Sequence, residues 1–121
     1  MGRRYSRRMS FNPRLVLVTA SSQEEARNLA QGILNKHLAA CVNIVPGVES
    51  HYWWQGKLET SAEFLMVIKT TSEQFEAVAE LIRWHHSYQC PEIIAIAPDQ
   101  IAPEYRAWWE EESDKFDGGR S

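Results

Sequence analysis

Apolar residues follow two different rhythms along this chain. Leu15-Val16-Leu17-Val18-Thr19 is a β-branched and leucine run that stops at small polar residues, the pattern of a buried strand. Ser21 with Glu24, and Ser22 with Glu25, then each satisfy the S-x-x-E capping box, in which a hydroxyl and a carboxylate take up orphan backbone N–H groups. Ala26, Leu29, Ala30, Ile33, Leu34 and Leu38 follow at helical spacing. Ala40 to Val45 predicts a second strand; Pro46-Gly47 cannot sit in a regular ladder and predicts a bulge, with the strand resuming from Val48 to Trp54. Gln55-Gly56 reads as a hairpin tip, and Phe64 to Lys69 as the third strand. Thr70-x-x-Glu73 is a further capping box, leading into a helical stripe of Phe75, Val78, Ala79, Ile82 and His86 that Pro91 terminates. Ile93 to Ala97 is a fourth strand. After Pro98 and Pro103, residues 104–112 predict a short helix with Tyr105, Trp108 and Trp109 on or near one side.

Strand, helix, strand, strand, helix, strand is the split β-α-β order of the α+β, ferredoxin-like fold: an antiparallel sheet with two helices on one face, here followed by a short C-terminal helix. With 121 residues, 44% of them hydrophobic, one core suffices. The expected organisation is a flexible Arg-rich tail over 1–12, a single domain over 13–113 and a flexible tail over 114–121.

Charge sharpens this picture. The first 14 residues carry five arginines and no acid, so the remainder sets 8 basic against 16 acidic residues. An acidic body argues against specific nucleic-acid binding, and strand one has no aromatic on which a base could stack. Gly2 and Ser6 fit a myristoylation pattern, but six residues make a weak match and a leader that merely begins Met-Gly is the preferred reading, so no membrane partner is expected. The absence of an apolar span and of a cysteine framework favours a cytoplasmic protein with reduced Cys41 and Cys90.

Several residues have chemistry to offer, each with a bland alternative. His85 and His86 are the leading metal candidates, since imidazole suits copper, zinc and nickel; alternatively His86 packs on the apolar stripe while His85 meets solvent. Cys41 and Cys90 are soft ligands or packed thiols, with Cys41 the more core-like and Cys90 in a turn. Glu63 and Lys69 share a face of strand three but lie roughly 20 Å apart, so Lys69 is expected to meet Glu59, Glu92 or an acid of another subunit. Trp53 and Trp54 point to opposite faces, one toward the core and the other outward as an interface anchor. Trp108-Trp109 followed by Glu110-Glu111-Glu112 reads as a docked apolar body with a solvated acidic face. No Walker loop, G-x-G-x-x-G, H-E-x-x-H or G-x-S-x-G motif is present, and a Cys90 or His86 enzyme lacks a recognisable base and orienter.

Four strings stand in order at their expected places: Ala39-Ala40-Cys41-Val42-Asn43, Tyr52-x-Trp54-x-Gly56-Lys57, Lys69-Thr70-Thr71 and His86-x-Tyr88-x-x-Pro91-Glu92. Together they resemble the CutA family of divalent-cation-tolerance proteins, over about Leu15 to Glu112. The resemblance implies a ferredoxin-like subunit that forms a homotrimer through its bent second strand, with a role in copper or other divalent-cation tolerance and no established reaction. It also implies metal ligands at His85 and His86, although the cysteine that can accompany such a pair in bacterial relatives is replaced by Val18. The family's usual proline after the second histidine is Ser87, and Gln89 stands where glutamate is common. The expected function is therefore a non-enzymatic, cytoplasmic homotrimer with metal binding or a regulatory role. The alternative is a trimeric scaffold or metabolite sensor whose ligand sits in an inter-subunit cleft lined by Tyr52, Trp54, Lys69, Tyr88 and Glu92.

Overall fold

A computed structural model describes residues 10–116. Its elements are β1 (Pro13–Ala20), α1 (Gln23–Asn35), β2 (Cys41–Trp54), β3 (Lys57–Thr71), a short 3-10 turn (Ser72–Gln74) leading into α2 (Phe75–His85), β4 (Ile94–Ile96) and α3 (Pro103–Ser113). The sheet order is β2-β3-β1-β4, with every pairing antiparallel, which is the ferredoxin-like arrangement.

Strand period two explains where the core lies. Val16, Val18 and Ala20 of β1 stand opposite Ile68, Met66 and Phe64 of β3, and this face receives Ala26, Leu29 and Ile33 of α1 with Val78 and Ile82 of α2. Each fully buried Val, Leu, Ile or Met contributes about 1.5–3 kcal/mol relative to exposure. The opposite face carries Leu15, Leu17, Leu65, Val67 and the β4 isoleucines Ile94 and Ile96, and neither α1 nor α2 covers it.

Helix ends show which local signals win. Ser22 caps α1, its Oγ accepting from the Glu25 N–H at 3.0 Å, while Glu25 reaches back to Ser21 rather than to Ser22. The helix stops at Asn35, short of the expected Leu38, in a Schellman turn: Leu38 N–H donates to Ile33 O and His37 N–H to Leu34 O, with His37 at φ 55°. Leu38 is buried because the residue after such a turn folds back on the helix, so it mimics helical periodicity without being helical.

The expected Thr70–Glu73 capping box does not form. Thr70 lies in β3, its hydroxyl donates to Leu38 O at 2.7 Å, and Glu73 instead accepts from Asn12. Helix α2 also ends at His85, before Pro91, because His86 turns to an extended conformation (φ −83°, ψ 145°).

Parts of both expected tails are packed. Phe11 is buried edge-on against Trp109, Asn12 O accepts from Ser72 N–H, and Phe116 is buried after a turn whose N–H groups return to α3. The rest of both expected tails, 1–9 and 117–121, lies outside the described residues. Trp109 is buried and donates from Nε1 to Thr70 O at 3.1 Å, whereas Trp108 lies against Tyr105 at the surface. No helix among the described residues is long and apolar enough to cross a membrane.

Candidate functional site

Pairing of β1 with β3 ends at Ala20–Phe64, so beyond that point β2 and β3 pair only with each other and project as a two-stranded ribbon. The register shifts between Val45 and Val48, and Gly47, at φ 81°, supplies the bend there. After the bulge, Val48 faces Glu63, Ser50 faces Ser61, Tyr52 faces Glu59 and Trp54 faces Lys57, all on one side. Glu63 sits where the ribbon leaves the sheet and is only 6% exposed.

A buried carboxylate needs donors, and two hydroxyls provide them. Ser50 Oγ donates to Glu63 Oε1 at 2.6 Å, and Tyr88 Oη donates to Glu63 Oε2 at 2.6 Å. Burial, then the hydrogen bond to Glu63 and the Glu63 charge, push the Tyr88 phenol above its usual range; Tyr52 and Glu25 add to this. Burial and the Glu63 charge likewise raise the Glu92 carboxyl above the usual carboxylate range. Nearby, Tyr52 Oη lies 3.3 Å from Ser61 Oγ. Neither Glu63 nor Glu92 has an ion pair among the described residues. The cluster therefore offers two carboxylates and phenolic hydroxyls at one place, a setting suited to a cation or to a hydrogen-bonding ligand.

Tyr88 reaches this place because of how α2 ends. His86 is turned inward with its side chain fully buried: Nε2 donates to Thr19 O at 2.8 Å and Nδ1 accepts from the Tyr88 N–H at 2.9 Å. With Nδ1 accepting, Nε2 is the ring nitrogen that donates. The His86 and Tyr88 rings lie 4.7 Å apart.

The expected cleft is only partly assembled within one chain. Tyr88 bonds Glu63, Tyr52 lies within electrostatic reach of Tyr88, and Glu92 lies within reach of the Glu63 charge. Trp54 lies further along the same side of the ribbon. Lys69 is at the other end of β3, where its Nζ donates to Asn43 Oδ1 at 2.6 Å and lies 5.4 Å from the Tyr105 ring centroid. The expected partners Glu59 and Glu92 are not bonded to it, because Glu59 lies out on the ribbon and Glu92 near Glu63, six strand residues from Lys69.

His85 and His86 are not brought together as a ligand pair. His85 is exposed in an open groove between α1 and α2, while both nitrogens of His86 are already engaged. Among the described residues, no group of three or more His, Cys, Asp or Glu is placed to hold a metal ion. Val18 is fully buried on the core face. Cys90 is exposed as expected, but Cys41 is half-buried on the open sheet face opposite Lys69 rather than in the core. Trp53 and Trp54 are both exposed, 72% and 41%, because the ribbon projects beyond the core and neither of its faces has a core to bury in.

Sequence reasoning singled out Glu63 only for its relation to Lys69 and missed Ser50. The available signal was a single acid inside the otherwise apolar Ala62-Glu63-Phe64-Leu65, which demands partners once buried.

Comparison with known proteins supplies the family. A family model described as CutA1 divalent ion tolerance protein matches residues 14–112. The chain belongs to this family. The CutA protein of Archaeoglobus fulgidus, a divalent-cation tolerance protein, is 44% identical over 96 residues, covering 79% of this chain and 93% of the relative. The chloroplastic CutA 1 protein of rice is 48% identical over 82 residues, covering 68% of this chain but only 46% of the relative's length. Among solved structures, the Cut A1 protein of Thermus thermophilus superposes with a TM-score of 0.80 at 40% identity, covering 84% of this chain and 98% of that one. This CutA1-family chain thus has a family-wide association with divalent-cation tolerance.

Proposed function

We propose that the chain acts as a non-enzymatic homotrimer in divalent-cation tolerance, its subunits meeting over the open sheet face and a small ligand binding in the cleft around Glu63. One observation carries this reading: α1 and α2 cover one face of the sheet only, and on the other, where α3 reaches just the Lys69 end, Val45, Ile94 and Ile96 are 43%, 48% and 44% exposed. An apolar sheet face of this kind is an assembly surface, and the exposed Trp53, Trp54 and Leu58 of the ribbon add the aromatic and aliphatic anchors typical of one. The Glu63 cluster lies at the root of that ribbon, where a neighbouring subunit would close it into a cleft. Supporting the non-enzymatic reading, His86 has both ring nitrogens engaged, and Cys90 is exposed with no base bonded to it among the described residues. The unpaired Cys41 and Cys90 support a reducing compartment, the cytoplasm in our reading.

Native mass spectrometry of the full chain tests the assembly. The parent is expected at three times the subunit mass, and Ile96→Lys at the subunit mass; a monomeric parent refutes the reading. A thermal-shift panel of divalent cations and small metabolites, run on parent and Glu92→Gln, tests the cleft. A ligand that prefers the folded state raises the melting temperature, and that rise is expected to shrink in the variant.

Copper at His85 and His86 is a second reading, favoured by the exposure of His85 in a groove that also contains Glu24 and Glu25. It requires His86 to give up its bonds to Thr19 and Tyr88. Equal Cu(II) affinity in the parent and in a His85→Ala, His86→Ala variant would remove it.

A further inference from the structure

The segment that carries Tyr88 and Glu92 has no regular secondary structure between His85 and Ile94, yet Tyr88 is delivered to a buried carboxylate at 2.6 Å. Something must hold it, and three elements meet there. Glu25, in the first turn of α1, accepts from Ser21 N–H and Ser21 Oγ on Oε1, both at 2.9 Å, and from Ser87 N–H on Oε2 at 2.6 Å. Its side chain is 13% exposed, and Oε2 also lies 3.6 Å from His86 Nδ1. Ser21 Oγ and Ser87 Oγ are 3.4 Å apart. One carboxylate thus bridges the turn after β1 and the segment after α2, on either side of the residue whose Nδ1 accepts the Tyr88 N–H.

Capping alone does not demand this arrangement. The α1 N-terminus is already capped by Ser22 Oγ. The Oε2 bond to Ser87 adds nothing to the helix; it acts on the segment. Burial by itself would raise the Glu25 carboxyl, but the hydrogen bonds from Ser21 and Ser87 outweigh it and hold the group below the usual carboxylate range. Glu25 therefore stays ionised and keeps both oxygens as acceptors at neutral pH.

We propose that Glu25 is a positioning residue of the Glu63 site: by holding the Ser87 backbone on Oε2 while anchored to Ser21 on Oε1, it sets the segment that presents Tyr88 Oη to Glu63 and carries Glu92 beside it. This rests on the Glu63 cluster being the ligand site. Glu25 touches no part of that cluster by a hydrogen bond; it acts through Ser87, His86 and Tyr88. The inference also gives Ser87 a specific part, since its N–H is a donor that proline at this position lacks.

The Tyr88 phenol reports the positioning directly. The readout is the fall in urea midpoint that Tyr88→Phe causes in the full chain, measured at neutral pH and one protein concentration, because that fall reports whether Tyr88 Oη still reaches Glu63. Glu25→Gln keeps the side chain's shape but replaces one acceptor oxygen with a donor NH2, and Ser87→Pro removes the N–H while His86 already has the extended ψ that precedes proline. In either background the fall caused by Tyr88→Phe is expected to shrink to less than about half of that in the parent, because the hydroxyl is no longer held on Glu63. Ser87→Ala keeps the N–H but loses the hydroxyl that also bonds Glu25, so it is expected to retain more of the fall than Ser87→Pro does. An undiminished fall in folded Glu25→Gln or folded Ser87→Pro overturns the proposal and reduces Glu25 to a helix cap. If one of these variants does not fold, the other decides. The measurement needs no ligand, so it separates the two ideas. A ligand panel without hits defeats the cleft reading even if the fall shrinks, whereas an undiminished fall defeats the positioning role even if ligands bind.

Discussion

Replacing Tyr88 with phenylalanine deletes one oxygen and preserves the ring that packs 4.7 Å from His86. The Glu63 carboxylate, 6% exposed, is then left with Ser50 as its single hydroxyl donor. A hydrogen bond to a charged group contributes about 1.5–3 kcal/mol, and the 2.6 Å Tyr88–Glu63 bond is short and charge-assisted. A loss of about 2 kcal/mol is therefore expected. With a urea m-value of about 1–3 kcal/mol/M, this moves the unfolding midpoint down by about 1 M. The assay is urea unfolding of parent and variant at one protein concentration, since assembly makes stability depend on concentration. Two comparisons isolate the cause. Tyr52→Phe, whose hydroxyl meets Ser61 at 3.3 Å between exposed groups, is expected to cost less than about 0.5 kcal/mol. Tyr88→Phe made in a Glu63→Gln background is expected to cost about 1 kcal/mol or less, because the partner is then neutral. A Tyr88→Phe loss below about 0.5 kcal/mol, or an equal loss in both backgrounds, would refute the charged-bond reasoning.

Three further outcomes follow from local geometry. Gln55 occupies the left-handed region at φ 52° at the hairpin tip, so Gln55→Gly is expected to raise stability by about 1 kcal/mol, measured by urea unfolding; a loss would mean that the Gln55 side chain has contacts that outweigh the strain. Ser22→Ala removes the α1 cap and is expected to cost about 1 kcal/mol, with no cost arising only if Ser21 takes over the cap. The two perturbed carboxyls pull the pH profile in opposite directions. The Glu25 pKa is depressed by folding, so its contribution is present above the unfolded value and is lost as pH falls through the folded pKa. The Glu92 pKa is raised, so its ionised form opposes folding at neutral pH and that opposition is relieved as pH falls through the raised pKa. Glu92→Gln is thus expected to raise stability at pH 7, and Glu25→Gln to lower it; the reverse order in either variant contradicts the assigned direction.

Much of the fold was legible in the sequence because its signals are local. Continuous apolar runs at Leu15–Thr19 and Phe64–Lys69, the serine caps before α1, Pro46-Gly47 and Gln55-Gly56 each constrain the backbone through the residues themselves, and the family motifs extend this reading over nearly all of the domain. Local signals failed where a distant partner competed for the same group. The Thr70 hydroxyl is taken by Leu38 O and Glu73 by Asn12, so their capping box never closes; His37 ends α1 where periodicity alone carries on to Leu38. The candidate site was legible as a set of residue types but not as a place. Tyr52, Tyr88 and Glu92 were recognisable, yet their centre is Glu63, and only the departure of the β2–β3 ribbon from the sheet, with β1 ending at Ala20–Phe64, determines that this acid is buried and that Lys69 is too far to neutralise it. Sequence alone determined the elements, their order and the family, since each depends on neighbouring residues or on ordered strings. Tertiary structure decided which carboxylates are desolvated, which hydroxyls answer them and that His86 spends both nitrogens on the backbone, because burial and long-range hydrogen bonds exist only once separate segments meet.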